Sequence, residues 1–382
     1  MKKYLFILLS LLLSCSPVSV PPVWDGYPQI SALGDSYETL HFMHAFSKKI
    51  ISIGVVTHLQ DHQDELVVFA QNQNGELEWK NSIDLNSSDR PWKSLVSAEG
   101  IFVVTETHLV KFSHQGDFLW KLDLSQIEQD PLIRDVEIFK ETILVAGRSL
   151  YQVDLSGHYL TKVSLDQSLW DIAVTSKAII VGGWGQIYKL NLDLTLAWKF
   201  KLLAEQNPPL ELVLGKQGEI YALSLNSTPQ ESSTLFNLNP QGKLIWKKSF
   251  HDPDPGYKLP GFPKLRALPK GHLLVGLSQQ PTRELTLLNA KGKVLKRMKS
   301  KRGIMNEIEV DAQGNIFVMG ESHPEVYSPD LNLVAKGDFP EGADITSGAL
   351  ALSEDLVCVG AGVPSQGSMK FYTACYSMKD RR

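Results

Sequence analysis

A short phrase recurs about every forty residues along this chain. It reads GELEWK at 75–80, GDFLWK at 116–121, GHYLTK at 157–162, LTLAWK at 194–199, GKLIWK at 242–247, GKVLKR at 292–297 and LNLVAK at 331–336. Successive copies begin 41, 41, 37, 48, 50 and 39 residues apart. The third residue is apolar and the sixth is Lys or Arg in every copy. A period in this range indicates a repeat architecture.

The residues between the copies indicate that each unit is a small antiparallel sheet. Residues 92–124 contain four short apolar segments separated by turn residues, and 132–165 and 169–202 repeat this pattern. Four-stranded units at regular spacing are typical of a β-propeller. Residues two apart share one strand face, so the third residue and the fifth, often Trp, are expected to pack each outer strand against the next blade.

The number of blades follows from counting strands. Eight sets of three inner strands begin near residues 40, 92, 132, 169, 209, 264, 304 and 347, but only seven outer strands carry the phrase. The last blade therefore needs a strand from elsewhere, and residues 24–33, WDGYPQISAL, are available to close the ring. We predict an all-β propeller of eight four-stranded blades. Seven blades is the alternative, if the copy at 292–297 or 331–336 belongs to an irregular blade.

The N-terminus resembles the leader of a bacterial lipoprotein. Lys2 and Lys3 precede an apolar run that is too short to span a membrane and that ends just before Cys15. The resemblance implies a signal peptide at 1–14 and a lipid on Cys15. The Pro- and Ser-rich residues that follow predict a lipidated tether at 15–23, and the repeats predict one propeller domain at 24–382. Ser16, rather than Asp, implies the periplasmic side of the outer membrane. The alternatives are a cleaved leader with a coincidental Cys, a surface-exposed protein or a soluble periplasmic protein.

Charge and cysteine content restrict the partners and the redox compartment. Without Lys2 and Lys3 the chain has 36 basic and 42 acidic residues, a net charge of −6. A mildly acidic chain without a basic block is a poor candidate for binding nucleic acid or anionic lipid surfaces. Cys358 and Cys375 lie symmetrically about the turn-like PSQGS in two strand-like segments. We predict a disulfide across this hairpin, with two free buried thiols as the alternative.

The phrase NPQGKLIWK at 239–247 resembles the repeat of the pyrroloquinoline-quinone-type propellers. In that family a Gly and a Trp four residues later dock adjacent blades. The resemblance assigns this blade-docking role to Gly75, Trp79, Gly116, Trp120, Trp198, Gly242 and Trp246. Among the members of that family, a lipid-anchored propeller such as the one predicted here resembles the accessory lipoprotein of the outer-membrane barrel-assembly machinery. The family's dehydrogenases carry adjacent cysteines, which this chain lacks, so no cofactor is expected.

The links between strands divide the predicted propeller into two faces. The turns after the first and third strands of each unit are short, whereas the links at the other end are long and variable, and long loops on one face are where binding sites are usually built. Trp184, between glycines, and His58 and His62 in the link 57–65 are candidate surface residues on this face. The histidines and neighbouring carboxylates could ligate a metal, but they also fit a solvated hairpin tip.

Two classes of function remain from the sequence. The first is a non-catalytic, lipid-anchored scaffold or binding propeller whose partner is an envelope protein or an unidentified ligand on the long-link face. The second is a propeller hydrolase or lyase with a metal-assisted site on that face or in the central channel. No residue is assigned a catalytic or metal-binding role, because nothing resembles a nucleophile elbow or a phosphate-binding loop.

Overall fold

The computed structural model describes residues 18–19, 22, 24–26, 28, 36–58, 62–85, 89–202, 209–225, 233–250, 260–279, 282–300, 305–320, 323–337, 348–353, 356–365 and 368–377. Cys15, the leader and most of the long links lie outside these residues. In the part of the chain that is described, the regular secondary structure is β-strand, apart from one 3₁₀ turn at Leu124–Gln126. It contains no helix with the length and apolar character needed to cross a bilayer. The first strands are β1 (Val18–Ser19) and β2 (Trp24–Gly26).

The following strands form antiparallel sheets in chain order, and we number these sheets as blades. Blade 1 contains β3 (Ser36–Phe46), β4 (Lys49–His58), β5 (Asp64–Asn72) and β6 (Leu77–Leu85). Blade 2 contains β7 (Pro91–Ser97), β8 (Gly100–Thr105), β9 (His108–Phe112) and β10 (Phe118–Asp123). Blade 3 contains β11 (Asp135–Phe139), β12 (Thr142–Ala146), β13 (Leu150–Asp154) and β14 (Tyr159–Val163). Blade 4 contains β15 (Leu169–Val174), β16 (Ile179–Gly183), β17 (Gln186–Leu190) and β18 (Leu196–Lys201).

The second half of the chain repeats this arrangement. Blade 5 contains β19 (Pro209–Leu214), β20 (Ile220–Leu225), β21 (Ser233–Leu238) and β22 (Leu244–Phe250). Blade 6 contains β23 (Pro260–Ala267), β24 (Leu273–Gln279), β25 (Thr282–Leu288) and β26 (Val294–Ser300). Blade 7 contains β27 (Met305–Val310), β28 (Ile316–Gly320), β29 (Pro324–Tyr327) and β30 (Leu333–Lys336). Blade 8 contains β31 (Gly348–Leu352), β32 (Leu356–Ser365) and β33 (Ser368–Ser377).

The blades form a closed ring, which confirms the predicted β-propeller. The first strand of each blade contacts the first strand of the next, and β31 of blade 8 contacts β3 of blade 1. The N-terminal strand β2 pairs antiparallel with β33, with Trp24 opposite Cys375. The hydroxyl of Tyr372 also donates a hydrogen bond to Asp25 Oδ2 at 2.8 Å. These pairings are compatible with eight blades and with closure by the segment that begins at Trp24.

The core lies between neighbouring blades rather than within any one of them. All residues of β8, β9 and β16 are buried, because these middle strands have a blade on each side. Between blades 1 and 2, for example, Val68 packs in one cluster with Val103 and Phe112. A blade therefore cannot bury its apolar faces alone, and the ring must form for the core to exist.

Every outer strand that carries the phrase contains a β-bulge. The prediction that the third phrase residue packs against the next blade is therefore wrong. In blade 2, Phe118 pairs with Phe112 and Trp120 with Lys111, so the register shifts at Leu119. The other six outer strands shift at the same position. An inserted residue breaks the alternation of side chains between strand faces. The third residue is consequently exposed in five copies, including Phe118, instead of packing on the next blade.

Candidate functional site

A row of aromatic and cationic side chains lies where three first strands begin. Trp92 and Trp170 are the residues at which the register of β7 and β15 shifts, and Arg134 immediately precedes β11. The Arg134 guanidinium carbon lies 4.0 Å from the Trp92 ring centroid and 5.4 Å from that of Trp170. Trp170 meets Trp184 edge-on, with ring centroids 6.0 Å apart. We call Trp92, Arg134, Trp170 and Trp184 the mouth row.

The mouth row lies on the long-link face and is held by its neighbours. First strands line the centre of the ring and start at this face, and Trp184 occupies the turn between β16 and β17. Trp92 Nε1 donates to Glu106 Oε1 at 3.3 Å, and the backbone N–H of Trp184 donates to Ser168 O at 3.2 Å. Burial lowers the pKa of Arg134, although Glu106 and Asp130 act in the opposite direction. Arg134 remains a cation, because this shift starts from a very high value.

The row exposes chemistry that suits recognition of another molecule. A guanidinium between indole rings is preorganised for stacking and retains donors for carboxylate or carbonyl oxygens. The side chain of Trp184 is 38% exposed at the outer end of the row, whereas the other three are half-buried. Trp and Arg are the residues most enriched among those that dominate protein–protein binding energy.

Sequence reasoning identified Trp184 and missed the other three members. A signal was present, because in five of the eight first strands the residue near the start is followed by a charged residue. The pairs are Trp92–Lys93, Arg134–Asp135, Trp170–Asp171, Leu210–Glu211 and Asn306–Glu307. Aligning the first strands, rather than the outer strands, would have revealed this second repeat.

The charged residues of these pairs join adjacent blades within the ring. Asp135 Oδ2 accepts a hydrogen bond from the backbone N–H of Ile172 at 2.8 Å, and Asp171 Oδ2 accepts one from Leu212 at 2.5 Å. Glu211 accepts the equivalent bond from Leu265. Each carboxylate therefore caps an N–H of the next blade's first strand.

Cations on the same strands neutralise part of this negative charge. Lys93 Nζ lies 3.4 Å from Asp135 Oδ1. Arg266 donates to Glu211 at 3.0 Å and to Glu307 at 2.8 Å. Burial tends to raise the pKa of Glu307, but Lys264 and Arg266 outweigh it and the net shift is downward.

Two other carboxyl groups in the ring, those of Glu137 and Asp171, have raised pKa values. Burial, followed by the Asp135 carboxylate, raises the pKa of Glu137 to about 7, with Lys93 acting in the opposite direction. Burial and Asp135 also raise the pKa of Asp171 well above its usual range. These groups reduce mutual repulsion by holding protons. Within the described residues no group of three or more His, Cys, Asp or Glu is arranged to hold a metal.

The blade-docking tryptophans lie against glycines of the following blade. A Cβ atom on Gly116 would lie 2.4 Å from Trp79 Cε3, and one on Gly242 would lie 2.6 Å from Trp198 Cδ2. Trp120 and Trp246 contact Gly157 and Gly292 in the same way. Gly75 has a φ of 83°, in the left-handed region, and begins a phrase like the other glycines.

The other predicted residues lie outside the mouth row. Cys358 and Cys375 face each other across β32 and β33 and form a disulfide. His58 and His62 are in blade 1, and His58 Nε2 lies 3.4 Å from Glu65 Oε1. His62 is exposed with a φ of 56°, and neither histidine belongs to the mouth row. Asp61, in the same link, lies outside the described residues.

A small cavity lies between blades 7 and 8. It is lined mainly by apolar groups, among them Phe317, Val326 and Tyr376. Its volume of about 20 Å³ has room for roughly one water molecule. A cavity of this size cannot hold a metabolite, whose pockets usually measure several hundred Å³.

The ring of antiparallel blades defines the chain as a β-propeller. No family model and no curated protein matches it. Its structure is similar to BamB from Moraxella catarrhalis, with 12% identity, coverage of 87% of this chain and 95% of that one, and a TM-score of 0.59. It is also similar to the Dos1 propeller, with 12% identity, coverage of 92% and 94%, and a TM-score of 0.62. At such low identity these likenesses show the fold alone.

Proposed function

We propose that this chain is a lipid-anchored propeller of the bacterial envelope that binds a protein partner at its long-link face without catalysis. The mouth row is the observation that carries this proposal. It places Arg134 between two indoles and leaves Trp184 accessible at one end. The row crosses blades 2, 3 and 4, so it suits an extended protein surface better than a small ligand.

The evidence for where the protein lies in the cell is its N-terminal leader. The run before Cys15 has the features of a lipoprotein signal, and Ser16 favours the outer membrane. The likeness in fold to BamB, at 12% identity, supports a propeller and no finer assignment. We infer that a lipid on Cys15 anchors the propeller to the periplasmic side of the outer membrane.

Photocrosslinking tests the binding face. Trp184 and Tyr159 are almost equally exposed, at 38% and 37%, and lie at opposite ends of the blades. Each would be replaced in turn by a photoreactive phenylalanine analogue in living cells. We expect discrete protein adducts from position 184 and none from position 159.

A second substitution links these adducts to the mouth row. Arg134→Lys keeps the charge but removes the planar group that stacks on Trp92 and Trp170, and it should weaken the adduct from position 184. Equal adducts at positions 159 and 184, or adducts indifferent to Arg134→Lys, would count against the proposed face. Stoichiometric metal in the purified protein would instead favour the hydrolase or lyase.

Cell fractionation tests the anchor. Two acyl chains hold a protein at a membrane by burial of their methylenes, so one modified residue determines localisation. Cys15→Ala should release the protein from the membrane fraction or stop its processing. Ser16→Ala, which keeps the Cys, is the control and should leave the protein in the membrane fraction. If the Cys15 variant fractionates and migrates like the parent, the lipoprotein assignment fails.

A further inference from the structure

The outer strands of blades 5 and 6 carry basic residues and no acidic ones. Residues 242–250 and 289–300, which include β22 and β26 and the turns before them, contain no Asp or Glu. We call these two segments the basic perimeter. Its cations are Lys243, Lys247, Lys248, Lys291, Lys293, Lys296, Arg297 and Lys299. Glu284 on the neighbouring strand β25 lies 3.4 Å from Lys299 and 3.7 Å from Arg297, so it offsets only part of this charge.

The opposite side of the ring has a different charge. The outer segments of blades 1 and 2, residues 75–85 and 116–124, contain five acidic and two basic residues. In the ring of first strands, blades 5 and 6 stand across from blades 1 and 2. The outer strands are therefore positively charged on one side of the ring and negatively charged on the opposite side, although the net charge of the chain is small.

Aliphatic side chains are exposed among the lysines. Ile245 is 54% exposed, Leu295 is 45% exposed and Leu244 is 38% exposed. They occupy the third and fourth phrase positions, which the outer-strand bulge turns toward solvent. Exposed aliphatics surrounded by basic residues match the interface of a bilayer with anionic headgroups.

The start of the chain lies next to this surface. Strand β1 pairs in parallel with β30 of blade 7, with Val18 opposite Ala335 and Ser19 opposite Lys336. Blade 7 adjoins blade 6, and Val18 follows Cys15 by only three residues. Three extended residues span about 10 Å, so a lipid on Cys15 would emerge at the edge of blade 7 rather than at the end of a long tether.

We infer that the basic perimeter lies against an anionic phospholipid bilayer and orients the propeller with its rim toward the membrane. The charge, the exposed aliphatics and the pairing of β1 all favour this one occupant. The inference goes beyond the proposed function, because it concerns a second membrane contact that needs neither the acyl chain nor the mouth row. In this orientation both faces of the propeller project sideways, and the mouth row stays accessible to a partner.

Vesicle co-sedimentation tests the inference without the lipid anchor. The processed chain, 15–382, would carry Cys15→Ser so that no acyl chain contributes. Its binding would be measured on vesicles of equal parts phosphatidylglycerol and phosphatidylethanolamine, and on vesicles of phosphatidylcholine alone. We expect binding to the anionic vesicles that weakens as salt is added, because exposed charges are screened.

Two triple variants with the same change in net charge separate a local site from general electrostatics. Lys243→Gln, Lys247→Gln and Lys293→Gln alter exposed residues of the basic perimeter. Lys48→Gln, Lys121→Gln and Lys140→Gln alter exposed residues of blades 1, 2 and 3. The first set should lower vesicle affinity by about tenfold or more, and the second by less than about twofold. Ile245→Ser should also weaken vesicle binding, including the binding that remains at high salt, because apolar contacts are not screened by ions.

Several results would overturn the inference. These are an equal loss of affinity in the two triple variants, equal binding to neutral and anionic vesicles, or no binding to either. The last result would point to an acidic protein as the occupant of the basic perimeter. Matching melting transitions of all variants would show that a loss of binding does not come from unfolding. None of these results depends on Cys15 or on the mouth row.

Discussion

Trp120 of blade 2 occupies the space that a side chain at Gly157 of blade 3 would need. A Cβ atom on Gly157 would lie 2.7 Å from Trp120 Cδ2, and the φ of Gly157 is 90°. Trp120 Nε1 also donates a hydrogen bond to Leu155 O at 3.2 Å, in the turn that holds Gly157. Glycine is therefore required at this position both by its backbone conformation and by the indole beside it.

Where one blade lacks the Trp of the phrase, the next blade has a leucine instead of the Gly that a Trp would contact. Blade 3 has Thr161 at the Trp position, and blade 4 has Leu194 at the Gly position, buried at a φ of 66°. Likewise, blade 6 has Lys296 at the Trp position, and blade 7 has Leu331 at the Gly position, where it is buried with a φ of 58°. A leucine in the left-handed region carries backbone strain, which the burial of its side chain offsets. A large residue from one blade or the other thus fills each of these sites.

The first prediction concerns Trp120. Trp120→Ala should lower the free energy of unfolding by about 3–5 kcal/mol, because it leaves a cavity between blades 2 and 3. Trp184→Ala is the matched control and should cost far less, since its side chain is 38% exposed. Chemical denaturation of both variants measures the difference. Similar losses would show that one of the two tryptophans is misplaced.

The second prediction concerns the exchange between Thr161 and Leu194. Thr161→Trp alone should cost about 1–3 kcal/mol by overpacking, and Leu194→Gly alone about 2–4 kcal/mol by leaving a cavity. Together they recreate the Trp–Gly pair of the other blades, so the double variant should lose at least about 1 kcal/mol less than the sum. A double-mutant cycle by urea unfolding measures this coupling. Simple additivity would refute size complementarity.

The third prediction concerns ring closure. Deleting residues 24–33 removes β2, the partner of residues 373–375 of β33, while β3 still pairs with β33 at Met369. Because part of β33 then loses its neighbouring strand, we expect aggregation or a large drop in melting temperature. Asp25→Asn is the control, because it weakens only the hydrogen bond from Tyr372 and should cost about 1–2 kcal/mol. An unchanged melting transition after the deletion would argue against closure by this strand.

The fourth prediction concerns Cys358 and Cys375, which are separated by 17 residues. Mass spectrometry of the exported, non-reduced protein should find them joined. Replacing both with Ala should lower the free energy of unfolding by roughly 3 kcal/mol or less, mainly through chain entropy. Adding reductant should destabilise the parent protein and leave the double variant unchanged. Two free thiols in the exported protein would exclude the bond.

The fifth prediction concerns Glu137, whose pKa is raised to about 7. A carboxyl group with a raised folded-state pKa stabilises the protein fully below its unfolded pKa, near 4.3, and loses this contribution as the pH rises through 7. Glu137→Gln mimics the protonated form, so it should raise stability by about 1–3 kcal/mol at pH 8 and have little effect at pH 4. Glu99→Gln, in an exposed turn, is the control. Thermal melts across this range test the prediction, and an equal effect at both pH values would contradict it.

Local patterns in the sequence were sufficient to predict the propeller. The period of the phrase, the four apolar segments in each unit and the shortage of one outer strand are all readable from residues near in sequence. Strand alternation and turn chemistry operate over two to five residues, so they survive in a single chain without homologues. The position of Cys358 opposite Cys375 also follows from a short hairpin, where the turn sets the register.

The tertiary structure decided what depends on neighbours distant in sequence. The bulges reverse the predicted orientation of the third phrase residue, because an inserted residue is recognised only when the partner strand is known. The mouth row joins residues from three blades, and the basic perimeter joins segments about fifty residues apart. Net charge suggested no affinity for anionic lipid, but charges act within about 10 Å, so their placement around the ring matters more than their sum.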